Sequence, residues 1–155
     1  MSATNRIAVT RTVQASPSEV FRIVTDPNMQ VTIDGSGMLV AAPEAKRLEA
    51  VGDTFVMDMD RESLGDIPMG KYTVLNIVTR IVPDHLLEWN VGSAEHGPYG
   101  HVYGWEITAV GPDESEVTNY CDWTDIPEEA RDHFPIVPRS MMEKSVDNLV
   151  AFFAQ

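Results

Sequence analysis

Cysteine is nearly absent from this chain: Cys121 stands alone among 155 residues. No internal disulfide can therefore form, and no cysteine-built zinc site is available. Cys121 falls inside a strand pattern with no histidine near it in sequence, so it is read as a small buried apolar residue rather than a nucleophile. Positive charge is scarce as well. Eleven Lys and Arg stand against 24 Asp and Glu, a formal net charge of −13, which repels phosphate backbones and anionic membrane surfaces. Nucleic-acid and polybasic membrane roles are disfavoured, and solubility is the plain reading of the acidity. No apolar run reaches the ~18 residues of a spanning helix. The opening MSATNRIAVT lacks the basic region and apolar core of a secretory signal. The expectation is a soluble cytoplasmic protein with no integral membrane segment.

Several motifs are missing too. Asp34-Gly35-Ser36-Gly37 could be mistaken for a phosphate cradle, but no Lys-Ser/Thr follows it and no helical pattern begins there, so it reads as a turn. There is no nucleophile elbow, no dinucleotide fingerprint, no internal repeat and no low-complexity segment. His96 and His101 are five apart, which matches no common metal spacing, and no third ligand is evident. Neither a metal nor a bound cofactor is expected.

What is present is organised around the C-terminal run from Pro138. Met142, Val146, Leu149 and Phe153 recur at helical spacing, with Met141, Ser145, Leu149 and Phe152 one row over, giving a wide apolar face that needs a partner. The length suits one domain, residues 1–155, with a single sizeable core. Upstream, Ile7, Val9 and Val13 alternate with Ala8, Thr10 and Thr12 as in a half-buried strand. Arg11 interrupts the apolar face, either as an internal cation or as a guanidinium snorkelling out at the sheet's end. Ser16-Pro17-Ser18-Glu19 has the form of a capping box and opens a helix with Val20, Phe21 and Val24 inward. Asp26-Pro27 ends it, with one more short turn over Asn28 to Thr32.

From Met38 the period changes to that of strands. A short strand covers Met38 to Ala42, with a possible extended piece from Arg47 to Val51. Phe55, Met57 and Met59 share one face of Thr54 to Arg61, and Tyr72, Val74, Asn76 and Val78 one face of Lys71 to Val82. Leu87, Trp89 and Val91 alternate next, followed by Tyr103, Trp105 and Ile107, and last by Val117, Asn119, Cys121 and Trp123. Glu62 to Gly70 and Ser93 to Gly100 read as polar loops. Strands joined by such short turns pair as an antiparallel meander. Asp125 to Phe134 is a candidate short helix, interrupted by Pro135 and Pro138.

The segments Val13 to Phe21, Asp26-Pro27, Ile33 to Gly37, Val51 to Phe55 and Asn76-Ile77-Val78, together with Glu88-Trp89, Tyr103 to Ile107 and Val117 to Trp123, resemble the START-like, helix-grip superfamily that includes birch-pollen-allergen-like proteins. Within it the chain looks like the bacterial SRPBCC, polyketide cyclase/dehydrase group. The resemblance covers nearly the whole chain and is carried by caps, turns and inward apolar positions. It implies an α+β fold, a curved antiparallel sheet of about six or seven strands wrapped around the long C-terminal helix, with two short helices after the first strand. It also implies an apolar cavity for a lipid, sterol, polyketide, hormone or other hydrophobic molecule, and in some members aromatic cyclisation or dehydration. Fold alone does not choose among these, and a filled core is the bland alternative.

The candidate pocket follows from the inward faces. Phe55, Met57, Met59, Tyr72, Val74, Leu87, Trp89, Tyr103 and Trp105 would oppose Met141, Met142, Ser145 and Leu149 on the terminal helix. Methionine-rich faces suit both core filling and adaptable apolar binding. The sparse polar atoms there matter most, those of Tyr72, Asn76, Tyr103, Asn119 and Ser145, though each could instead bond neighbouring backbone. For acid–base chemistry His101 is the residue to watch, since it shares the face of Tyr103 and Trp105, with Tyr72 and Asn119 as further candidates; a structural or exposed His101 is the simpler reading. The expected partner is a small hydrophobic molecule bound by a monomer or homodimer.

Overall fold

The computed structural model describes residues 5–43, 45–62 and 70–154. Its elements run β1 (Arg6–Val13), α1 (Pro17–Val24), α2 (Pro27–Ile33), β2 (Leu39–Ala41), β3 (Thr54–Asp60) and β4 (Lys71–Val82). They continue with β5 (Leu86–Ser93), β6 (Gly97–Gly111), β7 (Glu114–Asp122), a 3-10 turn (Glu128–His133) and α3 (Arg139–Phe153). Among the described residues the strands form one seven-stranded sheet in the order β1-β7-β6-β5-β4-β3-β2, each neighbouring pair antiparallel. The meander β2 to β7 thus closes on β1. This is the α+β helix-grip arrangement, a curled half-barrel with a C-terminal helix.

Local chemistry explains the start of the chain. Ser16 caps α1 by accepting the Glu19 amide while the Glu19 carboxylate accepts the Ser16 amide, and Pro17 occupies the first turn, where no N–H is needed. Asp26 ends the α1 region and serves α2 by accepting the Asn28 amide at 3.0 Å. The anticipated short turn is therefore a two-turn helix, with Gln30 and Ile33 buried. Arg11 reaches out from β1 to Glu143 and Asp147 of α3, 3.3 Å from each, and snorkels at the sheet's rim.

Two expectations of local structure shift. Ser93 to Gly100 is mostly strand: β6 starts at Gly97, opposite Ser93. Gly and Pro in that stretch mimic a loop, but the ladder continues past a register shift between Asn90 and Gly92. The possible extended piece over 47–51 joins no strand among the described residues, and Leu48 donates its amide to Thr25 O at 2.9 Å. Further register shifts lie between Val78 and Arg80 and between Ala109 and Gly111. Such bulges bend strands and raise local twist, which lets this sheet curl.

The core lies on the concave face. Val9, Val13, Val117, Met142, Val146 and Leu149 are buried together. Helix α3 lies chiefly along β1, with lesser contact to β7 and α2. It therefore covers one side of the trough and leaves β3 to β6 to be roofed by other parts of the chain.

Candidate functional site

The uncovered part of the trough is a cavity of about 430 Å³, within the range of small-molecule sites. Its floor is the inward face of β3 to β7: Met57 and Met59, then Tyr72, Val74 and Asn76, then Trp89 and Val91, then Tyr99, His101, Tyr103 and Trp105, and finally Asn119. Met142 and Ser145 of α3 form one wall. Gln30, Ile33, Asp34, Ser36 and Met38 form another, and 126–137 supplies Ile126, Ala130, Phe134, Ile136 and Val137.

Eleven of the fifteen residues expected in the pocket, and His101, meet at this surface. The other four do not reach it. Phe55 packs edge-on behind Trp89, ring centres 5.7 Å apart. Leu87 and Leu149 are fully buried in the packed end of the core. Met141 sits about 100° round the helix from Met142 and is half-buried away from the cavity.

The polar side chains divide into two groups. Asn119 Nδ2 donates to Gly104 O at 2.9 Å. Ser145 Oγ accepts the Gly35 amide at 2.7 Å and donates to Met141 O at 3.2 Å. Gln30 Nε2 donates to Val24 O at 2.9 Å. The Asp34 carboxylate accepts from Ser36 Oγ, Ser36 N and Leu39 N. These groups hold backbone and loop in place. In contrast, Asn76 Oδ1 and His101 Nδ1 are buried without a hydrogen-bond partner among the described residues, although both side chains are about 95% removed from solvent, at 4% and 5% exposure. Buried polar atoms are nearly always satisfied, so these two mark where the cavity can engage a guest.

His101 lies in an aromatic enclosure. Its ring is 4.8 Å from Phe134 and 5.6 Å from Tyr103, both edge-on, and stacks with Tyr99 at 6.3 Å. Burial disfavours the imidazolium and lowers His101 to about 4, so the ring is neutral at pH 7. Burial likewise raises Tyr72 and, helped by the neighbouring Cys121 thiol, raises Tyr103 well above the usual phenol range. Both phenols are therefore protonated hydrogen-bond donors. Cys121, wholly buried, is pushed up to about 12 by the same desolvation, which leaves almost no thiolate for nucleophilic chemistry. The described residues contain no group of three His, Cys, Asp or Glu able to hold a metal ion, and no helix long and apolar enough to cross a membrane.

Sequence reasoning missed the walls built by α2 and by 126–137. Ile126, Phe134, Ile136 and Val137 stand among Pro127, Pro135 and Pro138 with no periodicity to reveal an inward face. The remaining signal was their apolar character in a stretch too proline-rich for a regular helix.

No protein-family model matches the chain. It is 30% identical over 118 residues to the uncharacterized protein Rv0088 of Mycobacterium tuberculosis H37Rv, covering 76% of this chain and 47% of that protein; MT0096, from strain CDC 1551, matches to the same extent. The chain thus spans about half the length of the curated relatives it matches. Among solved structures, CV1439 of Chromobacterium violaceum superposes with a TM-score of 0.68 at 16% identity, over 97% of this chain and 98% of that one. Truncated norcoclaurine synthase of Thalictrum flavum does so with 0.62 at 14%, over 95% and 91%. Norcoclaurine synthase has the birch-pollen-allergen-like fold, and the likeness extends to the fold alone.

Proposed function

We propose that the protein binds a small, largely apolar molecule in the cavity between the curled sheet and α3, as a member of the START-like, SRPBCC superfamily. The observation that carries this is the cavity of about 430 Å³. Its floor is methionine and aromatic, and the terminal helix lies to one side of it. An apolar recess of this size, opening to one side, has the dimensions and lining of a small-molecule site. Native mass spectrometry of freshly purified protein tests the reading: a co-purified apolar molecule, lost on filling the cavity with Val74→Trp, supports it. No adduct, and no thermal shift across lipids, sterols and aromatic polyketides, defeats it.

A second reading has an observation of its own. The neutral His101 imidazole shares the cavity with the Tyr72 and Tyr103 phenols, polar groups placed to polarise the carbonyl of a bound compound for cyclisation or dehydration. Norcoclaurine synthase, named as a synthase, shares the fold. If replacing His101, Tyr72 and Asn119 in turn leaves conversion of every bound compound unchanged, the protein is a carrier and not an enzyme.

A further inference from the structure

We infer that the cavity selects neutral molecules bearing two hydroxyl-type groups, one held by Asn76 and the other by His101. This rests on the cavity-binding reading above and adds which chemistry the guest must carry.

The strand register places the two residues. Asn76 of β4 pairs with Val91 of β5. Asn90 pairs with Val102 of β6 and Gly92 with Pro98, a register shift falling between them, so Val91 sits in the bulge opposite residues 99–101, of which Tyr99 and His101 face the cavity. Asn76, Val91 and His101 all line the cavity from three successive strands, and β4 and β6 lie two strand spacings apart, roughly 10 Å. On a concave face the side chains converge, so the two polar ends flank the apolar Val91 within reach of one rigid molecule. Both Asn76 Oδ1 and His101 Nδ1 lack partners among the described residues.

Their chemistry limits the guest. An amide oxygen only accepts, so the group facing Asn76 Oδ1 brings an O–H or N–H. The Nδ1 of a neutral imidazole donates or accepts according to tautomer, and a hydroxyl satisfies either. Charge is disfavoured for reasons of placement. Tyr99, Tyr103 and Phe134 surround His101 and leave it neutral, and the Asp34 carboxylate in the wall repels anions. His133 is exposed at the rim, and the buried Arg61 guanidinium stands behind the lining, its charge felt by Tyr72 and Tyr103 and its Nη1 donating to Ile136 O at 2.9 Å. A carboxylate or phosphate headgroup would lose its hydration among methionine and aromatic side chains, with no Lys or Arg among the described lining residues.

The test uses calorimetry of the purified protein with naphthalene, the naphthols, the isomeric dihydroxynaphthalenes and the naphthoates. One hydroxyl should tighten binding about tenfold over naphthalene, and a second, in the isomer whose spacing matches, about tenfold again. Naphthoates should bind at least about tenfold more weakly than naphthols. Asn76→Leu should abolish one step and His101→Phe the other, while His101→Gln, which keeps a hydrogen-bonding end, should retain it. Thermal melts establish that each variant folds; should His101→Phe fail to fold, Asn76→Leu and His101→Gln carry the comparison. Equal affinity for naphthalene and its hydroxylated forms, tightest binding by naphthoates, or hydroxyl steps that survive in Asn76→Leu would overturn the inference and leave cavity binding intact. Failure of every naphthalene to bind would overturn it as well, and with no co-purified molecule would remove the cavity-binding reading too.

Discussion

Gly35 and Ser145 meet in a contact that only glycine permits: the Gly35 amide donates to Ser145 Oγ at 2.7 Å, and a Cβ on Gly35 would stand 2.6 Å from the Ser145 backbone nitrogen. One turn further along α3, Asn148 Nδ2 donates to Ile33 O at 3.0 Å. Together these bonds clamp the end of α2 and its loop, one wall of the cavity, onto the terminal helix. Gly35→Ala forces the two backbones apart and should cost about 1–3 kcal/mol. Ser145→Ala leaves the Gly35 amide without its acceptor and should cost a similar amount. Urea denaturation of both variants measures this, and wild-type stability in Gly35→Ala would show that the clamp is not tight.

His101 gives the stability a definite pH dependence. Its pKa falls from 6.5 to about 4 on folding, so between those values the unfolded chain holds a proton that the folded one does not. Stability therefore falls as pH drops below 6.5 and this contribution levels off below 4. At pH 4.5 the loss from this one group is about 2–3 kcal/mol. His101→Gln should show a correspondingly shallower decline between pH 7 and pH 4.5 in urea titrations. Parallel curves for wild type and variant would mean that the ring is solvated.

On the convex face, Tyr120 lies over its cross-strand partner Gly104, where any larger residue at 104 would strike the ring. Its hydroxyl donates to Glu88 Oε1 at 2.7 Å, and the Arg6 guanidinium sits 4.1 Å above the ring centre. Burial, together with that carboxylate, raises the phenol. Tyr120→Phe keeps the cover and loses a charge-assisted bond, about 1.5–3 kcal/mol. Tyr120→Ala uncovers Gly104 as well and should cost about 3–5 kcal/mol. Thermal unfolding of the two variants separates the hydrogen bond from the packing.

Much of this arrangement was legible before any coordinates. Alternation assigned the inward faces of β3 to β7, because one face of a half-buried strand must be apolar, and the capping box located α1. His101 was marked by sharing a face with Tyr103 and Trp105. A pocket between sheet and helix was expected, but its position was not legible: it depends on α3 lying along β1 instead of over the middle of the trough, and helical periodicity gives the apolar face without its azimuth on the sheet. For the same reason Leu149 and Met141 looked equivalent to Met142. Nor could pattern show that Asn119 and Ser145 bond backbone while Asn76 Oδ1 does not, since each can donate and accept and only the neighbours decide. Arg11 was ambiguous until Glu143 and Asp147 appeared across from it. That pair is substantially exposed, so Arg11→Met should change stability by less than about 1 kcal/mol.

Asn76 offers a last test, of whether the cavity is built for binding at the expense of stability. Its Oδ1 lies unpartnered on an apolar floor, Asn76 standing between Phe55 of β3 and Val91 of β5. A desolvated amide without a protein partner is unfavourable by about 1–3 kcal/mol, and the adjoining space removes the penalty that a bulkier side chain would meet in a filled core. Asn76→Leu should therefore raise the unfolding free energy of the ligand-free protein by about 1–2 kcal/mol, whereas Val74→Ala, which only enlarges the cavity, should lower it by about 1–3 kcal/mol. Urea denaturation at pH 7, where His101 is neutral in the folded state, isolates the effect. A destabilised Asn76→Leu would mean that the amide holds the sheet together, leaving His101 alone to orient a guest.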